Sequence, residues 1–157
     1  MSYMFSIFCK SRQKDLPRAV ADFVLEGVYF QDEPRFEFES VGETGEEPSR
    51  LVLKYDELAD PIVVDVIDNA EGIQDEVQEA RDAAELAGPA HESVKHKLEG
   101  VQRVISLHVD RGQLSDEAWF MLDSLEAELA RTCDGVVYAP DDGFYDKDLH
   151  LIARIGS

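Results

Sequence analysis

No run in this chain approaches the roughly 18 consecutive apolar residues of a membrane-spanning helix. Cysteine is nearly missing: Cys9 and Cys133 stand far apart and match no metal-ligand spacing. Two ordinary thiols in a reducing compartment are expected, not a disulfide framework. The scarcity with the widest consequences is that of bases, with 15 Lys and Arg against 34 Asp and Glu, a formal charge of −19 on 157 residues. Counterion release from nucleic acid needs a basic stripe, and the one basic group, Lys10, Arg12, Lys14 and Arg18, reads as the entry to a helix. Direct nucleic-acid binding is therefore not expected. The amino-terminal MSYMFSIFCKSRQK carries its apolar residues first and its bases after, the reverse of a secretory signal. A polyanion is also repelled by an anionic leaflet, so the expectation is a cytoplasmic protein that binds no membrane.

Catalytic and cofactor signatures are also wanting. His91 and His96 are five residues apart, which turns them about 140° from each other on a helix, whereas a zinc-binding pair sits four apart. His108 and His150 alternate in apparent strands and have no nucleophile beside them in a G-x-S-x-G setting. Gly42-Glu43-Thr44-Gly45-Glu46-Glu47 has glycines but no lysine, and its glutamates repel phosphate. Asp141-Asp142-Gly143-Phe144-Tyr145-Asp146 lacks the alternating oxygens, sixth-position glycine and twelfth-position glutamate of a calcium loop, and reads as a solvated acidic turn. No catalytic residue, cofactor or metal is assigned.

What the chain has is acidity of uneven distribution. Residues 1–31 hold four bases and three acids, residues 32–92 hold 19 acids and four bases, and residues 93–157 hold 12 acids and seven bases. Self-repulsion on this scale opposes the compact state. Concentration in one region argues against a uniform halophilic coating and for attraction to a basic partner.

The periodicities predict strands at Tyr3–Cys9, Arg35–Ser40, Leu51–Tyr55, Ile62–Ile67, Val101–Val109 and Val136–Tyr138, with Leu149–Ile155 a last strand or short helix. Helices are expected after Asp15-Leu16-Pro17, over Glu71–Ala87, from about Ala90 to Leu98, and after Ser115. Asp15 and Ser115 stand as N-caps, and Gly27 and Gly135 as stops. The order lacks βαβ alternation with glycine-rich turns. It predicts a single α+β domain over 1–157: an antiparallel or mixed sheet of about six strands against three to four helices, partly ferredoxin-like.

Aromatics among carboxylates suit a basic protein surface, the rings supplying buried area and the acids steering and pairing. Tyr29-Phe30 precede Asp32 and Glu33, and Phe144-Tyr145 lie among Asp141, Asp142 and Asp146. With the strand face of Glu37 and Glu39 and the loop of Glu43, Glu46 and Glu47, these form the expected partner-binding set.

The stretch from Val104 through Ile152 runs strand, LSDEAWFMLDSLEAELA helix, CDGVVY, DDGFYD and a closing apolar segment. In this pattern, over about a third of the chain, it resembles immunity proteins of bacterial polymorphic toxin systems. The resemblance implies a cytosolic inhibitor of one secreted toxin, often a basic nuclease or nucleotide-acting enzyme, whose active site it blocks. A nucleic-acid mimic directed at a DNA- or RNA-binding protein shares the same physics. A carboxylate-based enzyme is the remaining alternative.

Overall fold

The computed structural model describes residues 2–39, 49–140 and 142–155. Helix α1 (Leu16–Gly27) begins at the proline signal, buries Leu16, Pro17, Val20, Ala21 and Val24, and ends after Gly27. Asp15 occupies the cap position in left-handed conformation at φ 49°, and its side chain makes no capping bond, so the expected N-cap is not formed. Helix α2 (Ala70–Ala84) is capped by Asn69, whose side-chain oxygen accepts from the Gly72 N–H at 2.6 Å. A 3-10 helix (Glu85–Ala90) interrupted at Gly88-Pro89 leads into α3 (His91–Lys97). Helix α4 (Asp116–Thr132) starts as expected, with Ser115 Oγ accepting from the Ala118 N–H at 3.1 Å.

The strands are β1 (Ser2–Cys9), β2 (Arg35–Glu39), β3 (Arg50–Lys54), β4 (Ile62–Ile67), β5 (Arg103–Asp110), β6 (Val136–Ala139), β7 (Gly143–Tyr145) and β8 (Leu151–Arg154). They form an eight-stranded antiparallel sheet in the order β2-β3-β4-β5-β1-β6-β7-β8, which corrects the expected six and keeps the α+β class. The additional strand is β7, which the composition had marked as an acidic turn. Its pairing supplies the reason: Phe144 lies opposite Tyr138 of β6 and Ala153 of β8, so partners on both sides impose the extended state on three residues. A Cβ on Gly143 would stand 2.2 Å from the Ala153 carbonyl oxygen, so glycine is required for this approach.

Two compact units share the chain. One comprises Met1–Met4, Gln13–Val66 and Ser106–Leu125, and the other Phe5–Arg12, Ile67–Ile105 and Glu126–Ser157. In the first, β2 alternates as the sequence predicts: Phe36 and Phe38 are half-buried, and Arg35, Glu37 and Glu39 are exposed. Leu51, Leu53, Ile62 and Val64 of β3 and β4 are buried. In the second, Phe8, Val77, Ala80, Ala84, Val94, Leu98, Val104, Val136, Phe144 and Ala153 form one core cluster. Residues widely separated in sequence are thus brought into contact, which supplies the burial that marginal helices such as α3 need.

Candidate functional site

In the first unit, the loops before β2 and after β3 enclose an open cleft of about 950 Å³. Phe30 and Tyr55 line it and stack on each other, with ring centroids 5.5 Å apart and planes at 27°. Phe30 is buried, so it serves as cleft wall, not as the exposed ring that its polar neighbours suggested. The Tyr55 hydroxyl donates to the Gln113 carbonyl at 3.3 Å. Burial, and then the charges of Asp56, Asp110 and Asp60, push its pKa above the ordinary tyrosine value.

Five carboxylates line the same cleft, those of Asp32, Glu33, Asp56, Glu57 and Glu117, against two bases, Arg35 and Lys54. Both bases already have carboxylate partners: Arg35 meets Glu57 at 3.4 Å and Lys54 meets Glu37 at 2.8 Å. Two of the acids are set by the backbone. Asp56 Oδ1 accepts from the Leu58 N–H at 2.9 Å, which shapes the turn, and Glu117 Oε2 accepts from the Gln31 N–H at 3.0 Å. Asp32 and Glu33 are exposed. A cleft of this size falls in the range of binding sites, and its charge favours a cationic occupant.

The structure thus brings Asp32 and Glu33 of the expected set together with acids that sequence reasoning did not single out, Asp56, Glu57 and Glu117. The Asp and Glu of the Tyr55–Pro61 loop were visible in the sequence, but only pairing of β3 with β2 carries them to the Asp32 loop. Glu37 is exposed on β2 and paired with Lys54. Glu39 lies opposite Arg50 in the β2–β3 register. Glu43, Glu46, Glu47 and Asp141 lie outside the described residues.

The remaining expected site residues belong to the second unit. Phe144 is fully buried and stacks on Tyr138 at 4.7 Å, so it offers no surface to a partner. The pattern of aromatics between acids misled here because β7 turns this ring into the core. Tyr145 donates its hydroxyl to Asp142, whose other oxygen accepts from Arg154 at 3.0 Å. Burial and then the Asp142 bond push the Tyr145 phenol up to about 12. Asp146 Oδ1 accepts from the Asp148 and His150 N–H groups, both at 2.9 Å. Burial raises its pKa, but these bonds and the neighbouring His150 and Lys97 outweigh that and hold the carboxyl below its ordinary range. Both acids therefore have structural partners in the β7–β8 segment.

Cys9 and Cys133, separated in sequence, are both buried with interacting thiols, and Cys9 Sγ donates to the Ile7 carbonyl at 3.8 Å. Interaction with Cys133 and then burial raise the Cys9 thiol, while interaction with Cys9 lowers Cys133. Nearby, Arg103 of β5 is buried and bound through two nitrogens to Asp68, at 2.6 and 3.1 Å. Each histidine has a carboxylate neighbour: His91 with Glu92, His96 with Glu99, His108 with Asp65 and His150 with Asp146. Among the described residues, no group of three or more His, Cys, Asp or Glu is placed to hold a metal ion. Among them too, no helix is long and apolar enough to cross a membrane. Set against protein-family models, curated proteins and solved structures, the chain matches none.

Proposed function

We propose that this is a non-enzymatic acidic binding protein of the immunity type, acting in the cytoplasm and inhibiting a cognate toxin by covering a basic active-site cleft. The observation that carries the reading is the cleft of the first unit, where five carboxylates surround a stacked Phe30–Tyr55 wall and both bases are already paired. Lysine and arginine side chains that normally hold substrate phosphates find oxygens of the same charge here. Tyr55, the half-buried ring of the pair, lines the recess where a guanidinium can lie against it. On the fold, the ferredoxin-like expectation rests on β5 and β6, which flank β1 in the strand order and are joined through α4.

The first test is whether an adjacent gene encodes a secreted protein with a toxin-like carboxy-terminal domain. If it does, binding of that domain is followed by calorimetry and inhibition by its activity; an adjacent gene of another kind counts against the reading. Replacing Asp32, Glu33 and Asp56 together by Asn, Gln and Asn removes three charges yet keeps the acceptor that shapes the Asp56 turn. The triple variant is expected to bind at least about tenfold more weakly, or about 1.4 kcal/mol. Inhibition at wild-type potency by the triple variant would refute the cleft as the binding site. Turnover by the protein alone, abolished by changing one pair of acids, would replace the reading with an enzymatic one.

A further inference from the structure

The end of α1 and the start of α4, both in the first unit, expose an aromatic ridge. The rings of Phe23 and Tyr29 lie 5.9 Å apart, and those of Tyr29 and Phe120 5.7 Å. Phe120 is 66% exposed and Val28 78% exposed, and the single tryptophan, Trp119, is also exposed. The ridge is built by two local departures from ordinary helix ending. A Cβ on Gly27 would stand 2.2 Å from the Tyr29 ring, so glycine there allows the ring to fold back over the helix. Val28 then holds φ 47° and ψ 52°, the left-handed conformation.

A β-branched residue is a poor occupant of that conformation, because its Cβ crowds the carbonyl oxygen. Glycine or asparagine ends a helix there without strain. Here a strained valine holds an apolar side chain in water. Backbone strain of this kind gathers at functional surfaces, and a residue that breaks a local rule without helping the fold points to such a surface.

The surroundings define what fits. Residues 19–34 and 112–125 contain seven carboxylates and no lysine or arginine. Asp116 and Glu117 precede Phe120 by four and three positions and Asp123 follows by three, so all three are its neighbours on the α4 surface. Burial raises the Asp123 carboxyl above its ordinary value. A second copy would bring another net charge of −19 against this rim, which like-charge repulsion opposes.

We propose that Val28, Tyr29 and Phe120, with Trp119 beside them, form the docking centre for a basic protein surface, an apolar knob ringed by lysines or arginines. This rests on the binding-protein reading above and adds to the acidic cleft an apolar docking centre and the chemistry of the partner's surface that it fits. Rings such as these dominate interface energetics when they become fully desolvated, and the acidic rim selects the charge of the approaching surface.

The probes are three synthetic peptides: KKLFLKK, KKGSGKK with the same charge and no apolar centre, and EELFLEE with the charge reversed. Each is titrated into the full chain, with Trp119 emission and calorimetry as readouts. KKLFLKK is expected to shift Trp119 emission saturably to shorter wavelength. KKGSGKK should bind about tenfold more weakly, as should KKLFLKK with Phe120→Ser, and EELFLEE should not bind. Val28→Gly is expected to raise the melting temperature and yet weaken KKLFLKK, a pair of effects that a purely structural valine would not give. It also serves as the second variant if Phe120→Ser does not fold. KKLFLKK binding that leaves Trp119 unmoved and ignores both variants would overturn the ridge and leave the acidic-binding reading standing. Equal binding of EELFLEE would overturn the partner chemistry, and a dimer in sedimentation that Phe120→Ser dissociates would make the occupant a second copy. Failure of both cationic peptides to bind anywhere would overturn the ridge and count against the binding-protein reading with it.

Discussion

Val28, left-handed and 78% exposed, carries a conformational cost with little burial to offset it, and the size of that cost can be measured. Relief of left-handed strain is worth about 1–2 kcal/mol, reduced by the larger chain entropy that glycine loses on folding, about 0.5–1 kcal/mol. Val28→Gly is therefore expected to stabilise the protein by about 0.5–1 kcal/mol in urea unfolding; a loss of stability would show that the valine side chain packs more than its 78% exposure implies. Tyr145 supplies a prediction in pH. Its phenol is pushed up to about 12 by burial and then by the bond to Asp142, whereas in the unfolded chain it ionises near its ordinary value of about 10. Below about pH 10 both states hold the proton and the group contributes no pH dependence. Between about pH 10 and 12 the unfolded state loses its proton first, so stability falls as pH rises. Tyr145→Phe is expected to flatten that alkaline decline in the urea midpoint relative to wild type. Identical slopes for the two proteins would show that the phenol ionises equally in both states.

Among the elements, β7 is the one that depends most on its neighbours. Gly143 has the Ala153 carbonyl oxygen 2.2 Å from where a Cβ would stand and the Arg154 Cα at 3.0 Å, both backbone atoms with little freedom to move. Gly143→Ala is expected to cost about 2–3 kcal/mol through forced separation of β7 and β8. A calorimetric melt unchanged from wild type would show that the two strands part without penalty. The same strand marks where sequence reasoning stops. Alternation made β2 legible, with Phe36 and Phe38 inward and Glu37 and Glu39 outward, and the Ser115 cap made α4 legible. Local composition at 142–146 favours a turn, and only partners on both sides make it a strand and bury Phe144. The site follows the same rule. Asp32 and Glu33 stood out beside Tyr29-Phe30, but Asp56, Glu57 and Glu117 join them only through the β2–β3 pairing and the Gln31–Glu117 bond. The Cys9–Cys133 contact had no sequence signal either, because residues distant in the chain meet through tertiary structure alone.

For the molecule as a whole, a formal charge of −19 sets long-range behaviour that no single contact determines. Sequence counting places most of the excess in residues 32–92. Folding redistributes it: the cleft takes acids from 32–33, 56–57 and 117, and the aromatic ridge takes its rim from α1 and α4. Under the proposed function, charge of one sign around a recess and an apolar ridge would guide a basic protein before contact is made, and such guidance is screened over about 8–10 Å at ordinary ionic strength. The most direct test is the stopped-flow association rate with the basic protein proposed as its partner, once that partner is isolated by co-purification, followed through Trp119 emission as ionic strength rises. Between about 50 and 500 mM salt the rate is expected to fall by about 10–100-fold, with dissociation changing far less. A rate constant that stays flat across that range would contradict the claim that this acidity serves to capture a basic partner.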